Sequence, residues 1–355
     1  MSDQYLTFDD VLIVPDYSEI ESRQDISTDQ EFLGRTLGLP ILSANMDFVT
    51  GAEMAEAMYN LGSLGILHRF WSSRESYLTA IETLHQLNIP IWISIGIRDL
   101  KESLDFIKSV LERTPISGVC IDVAHGHHAK VAQMIELIKG SANDSISGIK
   151  VIAGNVATID GTNFLRENGA DAIKVGIGAG SVCTTRTIAG VGVPQWSAIL
   201  ECSAIKQEYP QTVIIADGGI RSSGDIAKAL AAGADVVMVG HMLAGTDEAP
   251  GEIVTDYQVD WEMGGQTAPK PPKYKRYRGQ ASFGTNDSHY VKEGIEGLVP
   301  YKGPVAPIID DIKSGLRSSM SYVGARNLVD FRDKTKLVQV SSHTLMENNT
   351  RVKER

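Results

Sequence analysis

The chain reads as a (β/α)8 barrel on three observations. Eight apolar, β-branched runs recur over its first two thirds, each ends in small or polar residues, and each is followed by a stretch of helical periodicity. The first run, "LPILSANM" (39–46), ends by Asn45 and Asp47, and the second, "GSLGILH" (62–68), ends in His68. "IPIWISIGI" (89–97) carries Gly96, and "GVCIDVAHG" (118–126) carries Asp122 and His125. "KVIAGNVA" (150–157) contributes Asn155, and "AIKVGIG" (172–178) opens into the loop that bears Cys183. "TVIIADGGI" (212–220) supplies Asp217, Gly218 and Gly219, and "ADVVMVGHM" (234–242) supplies Gly240 and His241. Strands buried on both faces read as continuous apolar runs, and connectors such as "SSGDIAKALAAGA" provide the parallel crossovers. A doubly wound open sheet is the alternative, but it has no need of eight consecutive units. In a barrel the chemistry gathers at the carboxyl ends of the strands, where these polar residues fall.

After the eighth run the texture changes. Residues 246–303 are rich in Gly, Pro and Lys, unlike a core element and too long for a plain connector. A mobile covering flap is the reading, with a solvated insert as the alternative. "VAPIIDDIKSGLRSSMSYVGARNL" resumes helical spacing as the closing helix, and the polar residues 345–355 read as a frayed tail on a single domain spanning 1–355.

The 355 residues are 43% hydrophobic and 22% charged, an ordinary globular balance with ample length for a core. A net charge of -11 and the lack of a basic stripe argue against a nucleic-acid partner. No apolar run reaches membrane-spanning length, and no secretory signal pattern opens the chain. Cys120, Cys183 and Cys202 form neither a disulfide framework nor a zinc pattern, so a reducing cytoplasm is the expected home.

Cys120 lies in an apolar run and Cys202 in the helical stretch "WSAILECSAI"; both read as inert core thiols. Cys183 differs, because a loop with glycines at 176, 178 and 180 can carry a thiol into a cleft. An ordinary thiol, with pKa about 8.5, is mostly un-ionised at neutral pH, so a nucleophile there needs a base or local dipoles; the alternative is a tight turn that happens to hold a small residue. The paired glycines after the seventh run and Gly240 after the eighth predict a phosphate cradle, although double glycines also make plain turns. His125, His127 and His128 lack the spacing or carboxylate partners of a zinc site and read as a partly exposed loop end. His68 either orients a ligand or satisfies a backbone carbonyl.

Ordered motifs then carry a family likeness. "SANMDFVT", "IAGNVAT", "GSVCTTR" followed by "AGVGVPQ", "ADGGIRSSGDIAKALAAGAD", "LAGTDEAPGE" and "EGIEGLVPYKGP" resemble the IMP dehydrogenase/GMP reductase family from residue 5 to 328. The resemblance implies a purine nucleoside monophosphate, GMP or IMP, whose C2 is attacked by Cys183 while hydride passes between C2 and a nicotinamide. It implies Thr185 and Glu293 as a proton relay, and Ser181, Gly219 and Gly240 at the phosphate. Gly218, His241, Ser282 and Gly294 would stand around the nucleotide, and Asp217 at the ribose hydroxyls. Arg69, Gly96, Asp122 and Asn155 would approach the cofactor, Gly178, Gly180 and Cys183 would hold a monovalent cation, and the assembly would be a homotetramer.

Within the family the chain resembles a GMP reductase using NADPH. The dehydrogenases' regulatory insert between strands two and three is absent, "HRF" replaces their "HKN", and "YRGQAS" (277–282) is followed by only "FGTNDSHYVK" before Glu293. Their hydrolytic arginine downstream of that motif is missing; Arg276 and Tyr277 lie upstream of it. "AGVGVPQ", "LAGTDEAPGE" and "EGIEGLVPYKGP" read closer to the dehydrogenase, Tyr290 stands where reductases commonly have arginine, His241 replaces a serine or glycine, and Ala179 replaces a proline. The alternative is thus a minimal NAD-dependent IMP dehydrogenase with His289 as water activator, or a relative acting on another purine nucleotide. A nucleotide sensor without catalysis is the non-enzymatic alternative, disfavoured because Cys183, Thr185 and Glu293 are all present.

Overall fold

The computed structural model describes residues 4–140, 146, 148–255, 271–279, 293–341 and 343–344. Each of the eight predicted runs contains one strand of a parallel sheet: β1 Ile41–Ser43, β2 Leu64–Gly65, β3 Trp92–Ile95, β4 Gly118–Asp122, β5 Lys150–Val156, β6 Ala172–Val175, β7 Val213–Asp217 and β8 Val236–Val239. They hydrogen-bond in the order β2-β1-β8-β7-β6-β5-β4-β3. The ring closes where the Leu67 N–H donates to the Trp92 carbonyl at 2.9 Å and Leu67 pairs with Ile93. The strands are shorter than the apolar runs because each run continues into the turn that leaves the barrel.

Helices α1 Ala52–Asn60, α2 Arg74–Gln86, α3 Leu100–Leu111, α4 Ala129–Lys139, α5 Ile159–Glu167, α6 Gln195–Ser203, α7 Ser223–Ala231 and α8 Ala306–Tyr322 surround the sheet. Side-chain caps fix their starts: Ser73 accepts from Ser76 N–H at α2, Asp99 from Glu102 at α3, Thr158 from Gly161 at α5 and Ser222 from Asp225 at α7. The predicted closing helix is α8, whose Ile309, Ile312, Leu316 and Met320 form one buried stripe. At the N-terminal mouth, the hairpin of Gln30–Phe32 and Arg35–Leu37 brings Phe32 against Trp92, ring centroids 6.1 Å apart. Gly118 makes room for that indole, since a Cβ there would lie 2.2 Å from it.

The segment after β8, read from the sequence as a covering flap, contains regular structure where it is described. Among its described residues, β9 Val254–Thr255, β10 Lys273–Arg278 and β11 Glu296–Pro300 form an antiparallel sheet centred on β10. Lys275, Tyr277 and Val299 are buried, so this sheet packs onto the barrel by one face. Lys275 is tolerated there because its ammonium donates to the carbonyls of Thr246, Asp247 and Ala249. The rest of the predicted flap, 256–270 and 280–292, and the predicted tail lie outside the described residues.

Candidate active site

The Cys183 loop leaves β6 through glycines that the backbone demands. Gly176 has φ +150°, and a Cβ on it would stand 1.9 Å from the Asp217 carbonyl oxygen at the end of β7. The loop turns where the Cys183 N–H donates to the Gly180 carbonyl at 3.1 Å, then enters a one-turn helix, Thr185–Ile188. Arg186 braces it, donating to the Val193 carbonyl at 2.5 Å with its stem against Gly178 and Gly192.

Three side chains form a line from this loop. The half-buried Cys183 thiol donates to Thr185 Oγ1 at 3.2 Å, and the Thr185 hydroxyl donates to Glu293 Oε2 at 2.8 Å. Glu293 arrives from a residue 108 positions away, delivered by backbone pairing. The Thr184 N–H donates to the Glu293 carbonyl and the Ile295 N–H to the Val182 carbonyl, both at 3.0 Å, and Cys183 pairs with Gly294 in an antiparallel bridge. A proton on sulfur therefore has a continuous path to a carboxylate.

To one side lies the glycine cradle. Gly218 and Gly219 have φ of +101° and +77°, and Gly240 is pressed by the Tyr277 hydroxyl, 3.2 Å from where its Cβ would be. Tyr277 and Ser181 hydroxyls meet at 3.2 Å. Burial pushes the Tyr277 phenol up to about 12, so it stays a neutral donor. His241 sits edge-on to the Tyr277 ring at 5.7 Å, and burial, aided by nearby Lys302, lowers its pKa.

To the other side, Asp217 Oδ2 accepts from Asn155 Nδ2 at 3.0 Å and from Lys174 Nζ at 3.1 Å; Lys174 also meets Asp122 Oδ1 at 2.7 Å. Gln195 fixes the same corner, donating through Nε2 to the carbonyls of Val175 and Asp217. Arg69 stacks on Phe70, 4.3 Å from its ring centroid, and lies over Gly96. The flap sheet is tied down nearby, with Arg278 Nε donating to Asp47 Oδ2 at 2.7 Å.

These elements enclose a cavity of about 320 Å³, the size of a small-ligand site. Of the residues singled out in the sequence, Cys183, Thr185, Glu293, Ser181, Asp217, Gly218, Gly219, Gly240, His241, Arg69, Asp122, Asn155, Gly178 and Gly180 all line it. Gly96 lies beneath Arg69 instead, Gly294 sits in the ladder behind Cys183, and Ser282, His289 and Tyr290 fall outside the described residues. Asn155, expected at the cofactor, donates its amide to Asp217 Oδ2, and its buried Oδ1 has no partner among the described residues.

Among the described residues the His68 ring is bonded to no backbone carbonyl: Nδ1 accepts the Phe70 N–H at 3.0 Å, and the ring stacks on Trp71 at 4.5 Å. Burial, with Arg278 nearby, drops its pKa to about 4. Cys120 and Cys202 are buried, their thiols pushed up to about 12 by burial, as inert core cysteines should be. Among the described residues no three His, Cys, Asp or Glu side chains gather to hold a metal, and no helix is long and apolar enough to cross a membrane.

Sequence reasoning missed Tyr277 and Lys174. The first was hidden in "KYKRYR", whose inward residues are Lys275 and Tyr277, a period-two signal masked by charge. The second was a lone lysine in an otherwise apolar run, which is itself a signal.

Comparison with known proteins bears on this geometry. The sequence pattern of the IMP dehydrogenase / GMP reductase domain matches residues 5–351. An inosine-5'-monophosphate dehydrogenase of Aquifex aeolicus is 47% identical over 254 residues, 68% of this chain but only 48% of that protein, so the match spans about half its length. The inosine-5'-monophosphate dehydrogenase of Cryptosporidium parvum is 35% identical over 406 residues, 97% of this chain and 94% of that protein. A GMP reductase of Lactobacillus delbrueckii subsp. bulgaricus is 36% identical over 324 residues, 90% of this chain and 91% of that protein. With its barrel, its cysteine loop and its matched length, the chain belongs to the IMP dehydrogenase / GMP reductase family.

Proposed function

We propose that this protein is an oxidoreductase converting GMP to IMP and ammonia at the expense of NADPH. The observation that carries the reading is the hydrogen-bonded line from Cys183 through Thr185 to Glu293, in a chain with no arginine among residues 280–292. Such a site can protonate a departing amine, and it lacks the arginine that dehydrogenases of the family place downstream of "YRG".

The steps follow from the geometry. The Cys183 proton passes by way of the Thr185 hydroxyl to Glu293, leaving a thiolate that attacks C2 of the guanine. Glu293, now protonated, returns the proton through Thr185 to the 2-amino group, which leaves as ammonia and leaves sulfur bonded to C2. Ser181, Tyr277 and the N–H groups of the Gly218–Gly219 turn would hold the phosphate, and Asp217 the ribose hydroxyls. Asp122, Val123 and Ala124 also line the cavity, and the buried Oδ1 of Asn155, without a partner among the described residues, offers an acceptor fitting a carboxamide. A nicotinamide bound there supplies the hydride that replaces sulfur on C2. Tyr277, Gly279 and Glu293 of the segment after β8 line the cavity, in keeping with a covering role for that segment in this reading, and a cytoplasmic homotetramer accompanies it.

A second reading, NAD-dependent oxidation of IMP, is favoured by the Cryptosporidium protein, an inosine-5'-monophosphate dehydrogenase by name, which matches 97% of this chain. Two assays separate them: loss of NADPH absorbance with GMP, and NADH formation with IMP and NAD. Turnover of the first pair is expected; turnover of only the second would overturn the ranking.

A further inference from the structure

Lys174 is 1% exposed and is not among the residues that line the cavity, yet it touches two of the three carboxylates that do, Asp122 and Asp217. It stands on β6 between Gly154 of β5 and Ile215 of β7 in register. Residue 154 is glycine where the two strands press closest: a Cβ there would come within 2.6 Å of the Lys174 Cβ and 2.7 Å of its carbonyl oxygen. The ammonium reaches Asp122 on β4 at 2.7 Å and Asp217 on β7 at 3.1 Å, linking strands on either side of β5 and β6.

The charges packed here are Lys174, Asp122 and Asp217, with Arg69 facing Asp122 and the neutral thiol of Cys120 beside them. Burial alone would push Lys174 down, yet Asp122 and then Asp217 hold it above its ordinary value. Burial likewise opposes ionisation of Asp122, and Lys174 with Arg69 overcomes it, so its pKa falls. A buried ion pair is a poor source of stability, since desolvation offsets most of the attraction and apolar residues of like volume do as well. Its use is orientation. Lys174 and Asn155 together occupy Asp217 Oδ2, leaving Oδ1, which has no hydrogen-bond partner among the described residues, to meet a ligand.

We propose that Lys174 is a positioning residue for both substrates: its ammonium binds Asp122 and Asp217 into one fixed unit, so a single buried charge sets the hydrogen-bonding face offered at each end of the cavity. This rests on the reading that one end takes the nucleotide ribose and the other the nicotinamide cofactor. Without the ammonium, the buried Asp122 and the partly exposed Asp217 would face each other uncompensated, and like charge together with the burial of Asp122 would favour a proton on one of them at a pH where the wild type holds none.

The test is steady-state kinetics of full-length Lys174→Met and Lys174→Gln against pH, with whichever nucleotide and cofactor pair the wild type turns over. In either variant KM for nucleotide and KM for cofactor rise together, each by about ten-fold or more, the loss of one good charge-assisted contact per ligand. In addition kcat/KM falls about ten-fold per pH unit below a limb near neutrality that the wild type lacks. Lys174→Gln keeps a hydrogen-bond donor and carries the test if the methionine variant does not fold. A folded variant with the wild-type pH profile, or with only one KM changed, overturns the inference. A wild type that turns over neither pair overturns the reading of the site and this inference with it.

Discussion

Thr185→Val tests the relay with the least disturbance to its surroundings. Valine has the shape of threonine and the site is half-buried, so the loop should keep its course; only the hydroxyl between the Cys183 thiol, at 3.2 Å, and Glu293 Oε2, at 2.8 Å, disappears. A hydrogen bond to a carboxylate contributes about 1.5–3 kcal/mol, which is roughly 10- to 100-fold in rate if it is felt in the transition state. Interrupting proton transfer costs more, since positioned acid–base catalysis contributes about 10²–10⁴-fold. The expected outcome is a kcat for GMP-dependent NADPH oxidation lower by about two to four orders of magnitude, with KM for GMP within about three-fold. Quenched samples assayed for ammonia would place the loss before hydride transfer. A variant within about three-fold of wild type would refute the proton path, because no other described side chain lies between sulfur and Glu293.

Three further outcomes are expected. Tyr277→Phe removes the hydroxyl that meets Ser181 at 3.2 Å and should weaken GMP binding about three- to ten-fold by calorimetry with kcat little changed; unaltered affinity would detach Tyr277 from the phosphate end. Gly176→Ala, with φ +150° and a Cβ 1.9 Å from the Asp217 carbonyl, should cost about 2–4 kcal/mol in urea unfolding and abolish nucleotide binding; a variant as stable as wild type would mean β6 and β7 can part freely. His68 is buried with its pKa lowered to about 4, so unfolding takes up a proton as pH falls below about 6.5. Its contribution is present above that pH and is lost by about pH 4, ~3 kcal/mol that His68→Gln should not lose. Parallel stability curves for the two proteins between pH 4 and 6.5 would contradict the burial of a neutral imidazole.

The barrel was legible because parallel strands with both faces covered have no polar alternation to confuse the reading; even β2, only two residues long, lies inside its predicted run. The strand-end rule then located Cys183, Asp217, Asn155 and Gly240 without any family knowledge, since a polar residue at the end of such a run must meet a ligand, a partner or water. Glu293 was not legible this way. It lies far along the chain on a segment whose buried face includes Lys275, satisfied by three carbonyls that no local pattern reveals, and only the resemblance pointed to it. Lys174 escaped for the opposite reason, as one charge hidden among apolar neighbours whose partners come from strands β4 and β7.

In either reading the barrel, the cysteine loop and the line from Cys183 to Glu293 would serve the same opening step, loss of the thiol proton and attack of sulfur on C2. What separates the two activities is a second base, one for water. Oxidation must deprotonate a water molecule to release sulfur from C2, whereas reductive deamination finishes with hydride and needs no such group. Among residues 280–292 the sequence offers His289, and no arginine, for that duty. His289→Ala should therefore leave GMP-dependent NADPH oxidation within about two-fold of wild type, since nothing in the reductive sequence uses an imidazole. If the chain instead oxidises IMP, the same substitution should let hydride transfer proceed once, as a burst of NADH, and then stall with sulfur bonded to the purine. A stoichiometric burst without turnover would identify a dehydrogenase and end the reductase reading.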